Sequence, residues 1–278
     1  MSRTEIRLAS IHIYPMKATR AVDLDESVVE PCGLAGDRRW LLVDENGRFV
    51  SQREEPSLAR VTVTLSRAAG TISVEAAGHP RRRIAAPAES RGAGMLKVTV
   101  WRSAVLAAAA GPAADAWFSA YLGRTVRLVH LDDPARRPVD PEYGREDDVV
   151  SFADGYPLLL TSAGSLAELG RWLAEDGEQP VPMTRFRPSV VVAGAPPWAE
   201  DRWRRVRIGA VPFRVVKPCG RCVVTTTDQV TGERGSQPLK MLGRRRRFGQ
   251  QLVFGQNLIP DSLGVIRVGD PVEILETA

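Results

Sequence analysis

Phe213-Arg214-Val215-Val216-Lys217-Pro218-Cys219-Gly220-Arg221-Cys222-Val223-Val224-Thr225-Thr226-Thr227-Asp228 is the stretch from which the rest of the chain is read. Phe213 to Val216 and Val223 to Thr227 are rich in β-branched and aromatic residues, the composition of strands. Between them Pro218 and Gly220 interrupt the pattern, and two cysteines and two cations fall into the interruption. The segment predicts two strands flanking a chemically loaded turn.

The same patterning extends outward. Glu5 to Tyr14 alternates apolar and polar residues through Ile6, Leu8, Ile11 and Ile13, as a half-buried strand does. Gly33-Leu34-Ala35-Gly36 is a turn, Trp40 to Val43 a strand, and Asp44-Glu45-Asn46-Gly47 a hairpin turn whose Asn-Gly supplies positive φ. Further strands are predicted over residues 61–65, 71–74, 98–101, 125–130, 189–193 and 205–208. The end of the chain, Gly264 to Leu275, reads as two short strands around a turn. Helical spacing appears at Pro112–Leu122, which opens on a proline, and at Ser162–Ala174, with Ser162 as N-cap. Asp132 to Asp148 is rich in Pro, Arg and Asp and is read as a long loop. The expected fold class is mostly β with a few helices (α+β).

Composition excludes several classes. The 278 residues carry 44% hydrophobic and 26% charged side chains, which suits one or two globular domains and argues against disorder. Three cysteines are too few for a disulfide framework, a four-thiolate zinc site or an iron–sulfur cluster. No signal peptide opens the chain and no run of about 20 apolar residues occurs, so no membrane span is expected and the cytoplasm is the expected compartment. The net charge of +5 concentrates in Arg81–Arg83 and Arg244–Arg247. A nucleic-acid binder would interleave such runs with stacking aromatics, but aromatics are 6% and only Phe248 lies near either run. Both runs are read as solvated basic loops, and no nucleic-acid partner is expected.

Cys219-Gly220-Arg221-Cys222 admits three chemical readings. A redox pair is favoured by the neighbouring cations but disfavoured by a strand, rather than a helix, after it. A zinc knuckle needs further Cys or His nearby, whereas His12, His79 and His130 are scattered. The third reading is a single thiolate on a soft metal carried by a larger cofactor. Lys17, Arg38 and Arg187 sit in turn-like settings. Each alone reads as a surface charge; with Arg221 they would line an anion pocket, since guanidinium matches phosphate bidentately. In Asp154-Gly155-Tyr156-Pro157 the aspartate is a carboxylate at a strand edge, available for acid/base work.

Taken in order, six stretches resemble the MOSC superfamily (molybdenum cofactor sulfurase C-terminal domain) with its N-terminal β-barrel partner. They are Tyr14–Lys17, Gly36–Val43, Phe186-Arg187-Pro188, Cys219–Asp228, Phe254-Gly255-Gln256-Asn257 and Ile266–Val272. The pattern is similar to the mitochondrial amidoxime-reducing component and to bacterial YcbX-type proteins. The resemblance implies a small N-terminal β-barrel-like domain over 1–130 and a MOSC β-barrel domain over 131–278. It implies a molybdenum cofactor, a pterin dithiolene holding molybdenum, with Cys222 as the metal's protein ligand and a catalytic residue. Lys17, Arg38, Arg187, Gly220 and Arg221 would contact the cofactor. Gly155, Tyr156 and Ser189 stand at further contact positions, and Asp154 would be an active-site carboxylate. The implied reaction is reduction of N-hydroxylated compounds; the alternative is a non-catalytic carrier of the cofactor. Ala18, Ser189 and the pair Gly155-Tyr156 depart from the amidoxime-reducer pattern. Neither the mitochondrial anchor nor a C-terminal ferredoxin domain is present in these 278 residues, so a separate electron donor of ferredoxin, flavodoxin or cytochrome type is expected.

Overall fold

Leu8, Ile11 and Ile13 fall on the inward face of a strand, Arg7–Ile13, in a computed structural model that describes residues 5–66, 70–87 and 94–278. That strand does not pair within its own half of the chain. It runs antiparallel to Val190–Ala193, which lies parallel to Leu158–Ser162. The resulting nine-stranded sheet follows the order Val272–Thr277, Trp203–Ile208, Val211–Gly220, Gln251–Pro260, Leu158–Ser162, Val190–Ala193, Arg7–Ile13, Val22–Leu24, with Arg247–Phe248 beside Gln251–Pro260. A second link joins Gly264–Arg267 to Glu26–Glu30. Two strand pairings therefore cross residue 130. One core follows it: Leu8, Ile11, Ile13, Val29 and Leu34 pack with Leu158, Val192, Phe213 and Leu258.

Gly33–Leu34 pairs with Glu26–Glu30, and the remaining strands of the first half form two further small sheets. Trp40–Val43, Arg127–His130, Ser103–Ala109 and Met95–Val100 make one; Thr62–Leu65, Thr71–Ala76 and His79–Ala85 make the other. Trp40 and Leu42 face one cluster while Leu41 and Val43 face another, the alternation a two-sided strand requires. The helix Pro112–Leu122 drives Trp117 and Phe118 into the first cluster and stops at Gly123, whose φ of 66° is costly for other residues. The fold is α+β, mostly strand, with barrel-like units and three α-helices among the described residues.

Several local expectations are corrected. Val223–Thr226 is a 3-10 turn, not a strand. The Thr225 and Thr226 hydroxyls donate to the carbonyls of Cys222 and Val223, three residues back, so local hydrogen bonds override β-branched composition. Ser162 precedes the helix Ala163–Glu175, but its hydroxyl makes no cap. A helix at Leu239–Arg245 and the long strand Gln251–Pro260 escape the pattern reading. In the strand, Gly255 has φ 81°, and a Cβ there would lie 2.6 Å from the Leu160 carbonyl oxygen. The basic runs are not loops. Arg81–Arg83 occupy the exposed part of a strand, while Arg244 and Arg245 end a helix. Arg246 is 8% exposed, paired with Asp201 and stacked over Trp198. No helix among the described residues is long and apolar enough to cross a membrane.

Candidate functional site

Val211, Phe213 and Val215 alternate into the core until the strand reaches Lys217. There the register against Gln251–Pro260 slips twice, between Val215 and Lys217 and between Pro218 and Gly220. Pro218 has no N–H to give a ladder, and bulges bend a strand. The cysteine segment thus leaves the sheet and lines a cleft of about 810 Å³, counting the space open at its mouth. The facing walls are Ala153–Tyr156, Phe186–Arg187 and three first-half stretches carrying Lys17, Arg38 and Arg53.

The cations are built in. Lys17 is 7% exposed; its Nζ donates to the Phe152 carbonyl at 2.8 Å and pairs with Asp154 Oδ1 at 2.6 Å. Burial pulls the Lys17 pKa down to about 8, although Asp154 acts against the shift. Partial desolvation works against the Asp154 charge but is outweighed by Lys17, Arg53 and Trp101, which hold the carboxyl well below the usual range. Arg38 pairs with Asp37 at 2.5 Å and donates to the Arg187 carbonyl at 3.3 Å. Arg187 Nη1 donates to the Thr19 carbonyl at 2.7 Å, while its buried Nη2 has no protein acceptor among the described residues. Both guanidiniums lie over the Tyr14 ring, 4.4 and 4.1 Å from its centre. Burial lifts the Tyr14 phenol to about 12 against the pull of those two arginines, and the same burial lowers Arg187 to about 10.

Backbone strain marks the same place. Of the five non-glycine residues with positive φ among those described, four are Ala18 (72°), Arg38 (49°), Trp101 (56°) and Arg187 (54°). Each costs on the order of 1 kcal/mol or more, and such costs gather at ligand sites.

The thiols each receive one guanidinium. Arg221 Nη1 donates to Cys219 Sγ at 2.8 Å, and its Nη2 to the Phe186 carbonyl at 2.7 Å. Arg53 Nη2 donates to Cys222 Sγ at 3.1 Å. The Arg53 guanidinium lies 4.4 Å over the Trp101 ring, and Trp101 Nε1 donates to Asp154 Oδ1 at 3.1 Å. Among the described residues no three His, Cys, Asp or Glu side chains gather to hold a metal, so a zinc knuckle lacks its ligand set.

Lys17, Arg38, Asp154, Gly155, Tyr156, Arg187, Gly220, Arg221 and Cys222 all line the cleft. Ser189 does not. It is fully buried in the sheet, where its hydroxyl accepts from the Leu159 N–H at 3.2 Å and its backbone pairs with Leu159 and His12. A Cβ at Gly155 would meet nothing within 4 Å, so this departure from the family pattern leaves room in the cleft. Pattern reading overlooked Tyr14, Arg53, Trp101 and Arg137. Arg137 lay in the Arg-rich loop, yet it is 2% exposed and donates to the carbonyls of Ser151, Ala153 and Asp154, shaping the segment that carries Asp154.

Residues 5–125 match the MOSC N-terminal beta barrel domain, and residues 147–273 match the MOSC domain. The chain is 31% identical to mitochondrial amidoxime-reducing component 1 of Homo sapiens over 286 residues, covering 96% of this chain and 82% of that protein. It is 30% identical to the molybdenum cofactor sulfurase of Danio rerio over 273 residues, covering 92% of this chain but 32% of the sulfurase. Among solved structures, the YUAD protein from Bacillus subtilis superposes with a TM-score of 0.44 at 11% identity, over 96% of this chain and 93% of that one.

Proposed function

The chain belongs to the MOSC family, carrying both the N-terminal barrel domain and the MOSC domain, and from that premise we propose that it is a molybdenum-cofactor oxidoreductase that removes the oxygen of N-hydroxylated compounds. One observation carries the reading: a cysteine sulfur and an excess of buried and half-buried cations share a single cleft. The donor set fits a phosphate-bearing pterin dithiolene. Arg187 Nη2 and Arg221 Nε are buried N–H groups without a protein acceptor among the described residues, and a buried unsatisfied donor costs about 1–3 kcal/mol unless a ligand accepts from it. Lys17, Arg38 and Arg187 would hold the anionic end, Gly220 and Arg221 would flank it, and Cys222 would ligate the metal.

When bound, the cofactor supplies two-electron chemistry and exchange of oxygen with substrate. The remaining work falls to side chains of this chain. Reduction of an N–OH group to N–H and water consumes two electrons and two protons. Lys17, with its pKa near 8, carries a proton at neutral pH, and the ionised Asp154 pairs with that ammonium at 2.6 Å. Asp154, Gly155 and Tyr156 form the side of the cleft on which a substrate would lie. The electrons would come from a separate ferredoxin, flavodoxin or cytochrome-type protein, in the cytoplasm.

Elemental analysis of protein made in a host that synthesises the cofactor tests the reading. Equimolar molybdenum that disappears in Cys222→Ser supports it; full retention in that variant removes Cys222 as ligand. Turnover of an amidoxime with a reduced dye then completes the test, because metal bound without turnover identifies a carrier.

A further inference from the structure

Arg53 is not among the residues that would hold the cofactor, yet its surroundings fix it on every side. Its turn is pinned from both halves of the chain. The Ser51 N–H and hydroxyl donate to Glu54 Oε2 at 3.1 and 2.9 Å, and the Arg53 N–H donates to Ser51 Oγ at 3.2 Å. From the second half, Arg234 Nη2 donates to the Arg53 carbonyl at 2.6 Å, and Gln52 and Gln229 exchange amide hydrogen bonds at 3.2 and 3.0 Å. The side chain then lies over Trp101, itself fixed by Asp154 and by the Phe49 ring 5.1 Å away. Trp101 adopts φ 56°, a conformation that a bulky residue takes at a cost. Among the described residues Arg53 makes no ion pair with a carboxylate; its guanidinium is spent on a sulfur.

We propose that Arg53, braced by Trp101, is a positioning residue that fixes the Cys222 sulfur, so that the N-terminal half completes the metal-binding side of the cleft. The proposal rests on the reading of Cys222 as the metal's protein ligand. A cysteine side chain has one heavy-atom rotor, χ1. The Cys222 backbone is already held, since its carbonyl accepts from the Thr225 N–H and hydroxyl at 3.0 and 2.9 Å. One directional hydrogen bond to Sγ therefore removes the freedom that is left. A donor with a full charge is the stronger kind, and it remains usable when the sulfur is a ligand, because a ligating thiolate keeps lone pairs that accept.

The test compares loaded wild-type protein with R53Q, R53K and W101L, read by molybdenum per chain, the visible absorption of the metal–sulfur centre, and kcat against KM. R53Q should shift the absorption and lower molybdenum loading or kcat by about 10- to 100-fold, the usual effect of losing a hydrogen bond to a ligand, with KM nearly unchanged. R53K, which keeps a charged donor, should recover part of the loss. W101L removes the ring beneath Arg53 and also the indole hydrogen bond to Asp154, so it is read by molybdenum loading and absorption rather than by kcat; the expected fall in loading is about two- to fivefold, as for a lost cation–π contact. Should R53Q fail to fold, the loading and absorption of W101L decide: wild-type values for both overturn the proposal. R53Q with wild-type loading, absorption and kcat overturns the proposal while leaving Cys222 as ligand. Wild-type protein that takes up no molybdenum overturns the reading of Cys222 and this proposal with it.

Discussion

Lys17, Arg38 and Arg187 are sunk into one wall of the cleft and tied to backbone carbonyls or to Asp37, with Tyr14 packed against both arginines. The more exposed rim beside it is made differently. Arg53 and Cys222 are half-buried, Trp101 is 47% exposed, the Asp154 side chain is 65% exposed, and all four are linked through side chains. The contrast separates two tasks. Burying cations is costly, so the wall suits a charge that is held permanently. The rim keeps its polar groups within reach of solvent and suits molecules that come and go. Lys17 and Asp154 form the bridge between them.

The largest effect expected from this contrast is at Arg187. Arg187→Met should abolish molybdenum binding, yet the thermal stability of the metal-free protein should stay the same or rise, because a desolvated cation without a carboxylate partner is removed. A clear fall in metal-free stability would make that guanidinium structural and break the contrast. At the rim, Asp154→Asn should keep molybdenum and lose turnover by about 100-fold, the weight of one positioned proton-transfer group. Loss of metal there would erase the division of labour.

Lys17 sharpens the comparison through pH. Its pKa falls from 10.5 in the unfolded chain to about 8 in the cleft. Between those values the unfolded state holds a proton that the folded state has released, so folding gains with rising pH. Denaturant melts of metal-free protein should show wild type gaining on Lys17→Met by about 1–3 kcal/mol from pH 8 to 10.5. A flat difference would place Lys17 in a more solvated setting. The smallest effect is expected at Gly155→Ser. The added side chain enters open space, so stability should change by less than about 0.5 kcal/mol while KM for wide substrates rises.

The legible part of the site had a local signal. Lys17 follows a strand ending in Tyr14-Pro15-Met16, Arg38 follows Gly36-Asp37, and Arg221 lies between two cysteines. Arg53 had no such mark: in Ser51-Gln52-Arg53-Glu54-Glu55 it looks like one more surface charge. Arg137 was hidden among other loop arginines, and Trp101 at the end of an apolar strand. Thr225–Thr227 pointed the wrong way, because strand composition says nothing of hydroxyls that close a 3-10 turn on their own carbonyls. Ser189 stood in a motif position, but its hydroxyl is consumed by the sheet.

By itself the sequence determined what short-range physics can encode: the apolar residues that mark strands at Arg7–Ile13 and over 205–208, the spacing that makes a helix of Pro112–Leu122, and the residues that interrupt a strand at Pro218. Only the tertiary structure decided which charges meet which partners. Arg53 and Cys222 are 169 residues apart, and Lys17 and Asp154 are 137 apart. Periodicity reports which face of an element is apolar. Which distant polar groups share a cleft depends on how the sheets pack and which donors that packing leaves without an acceptor.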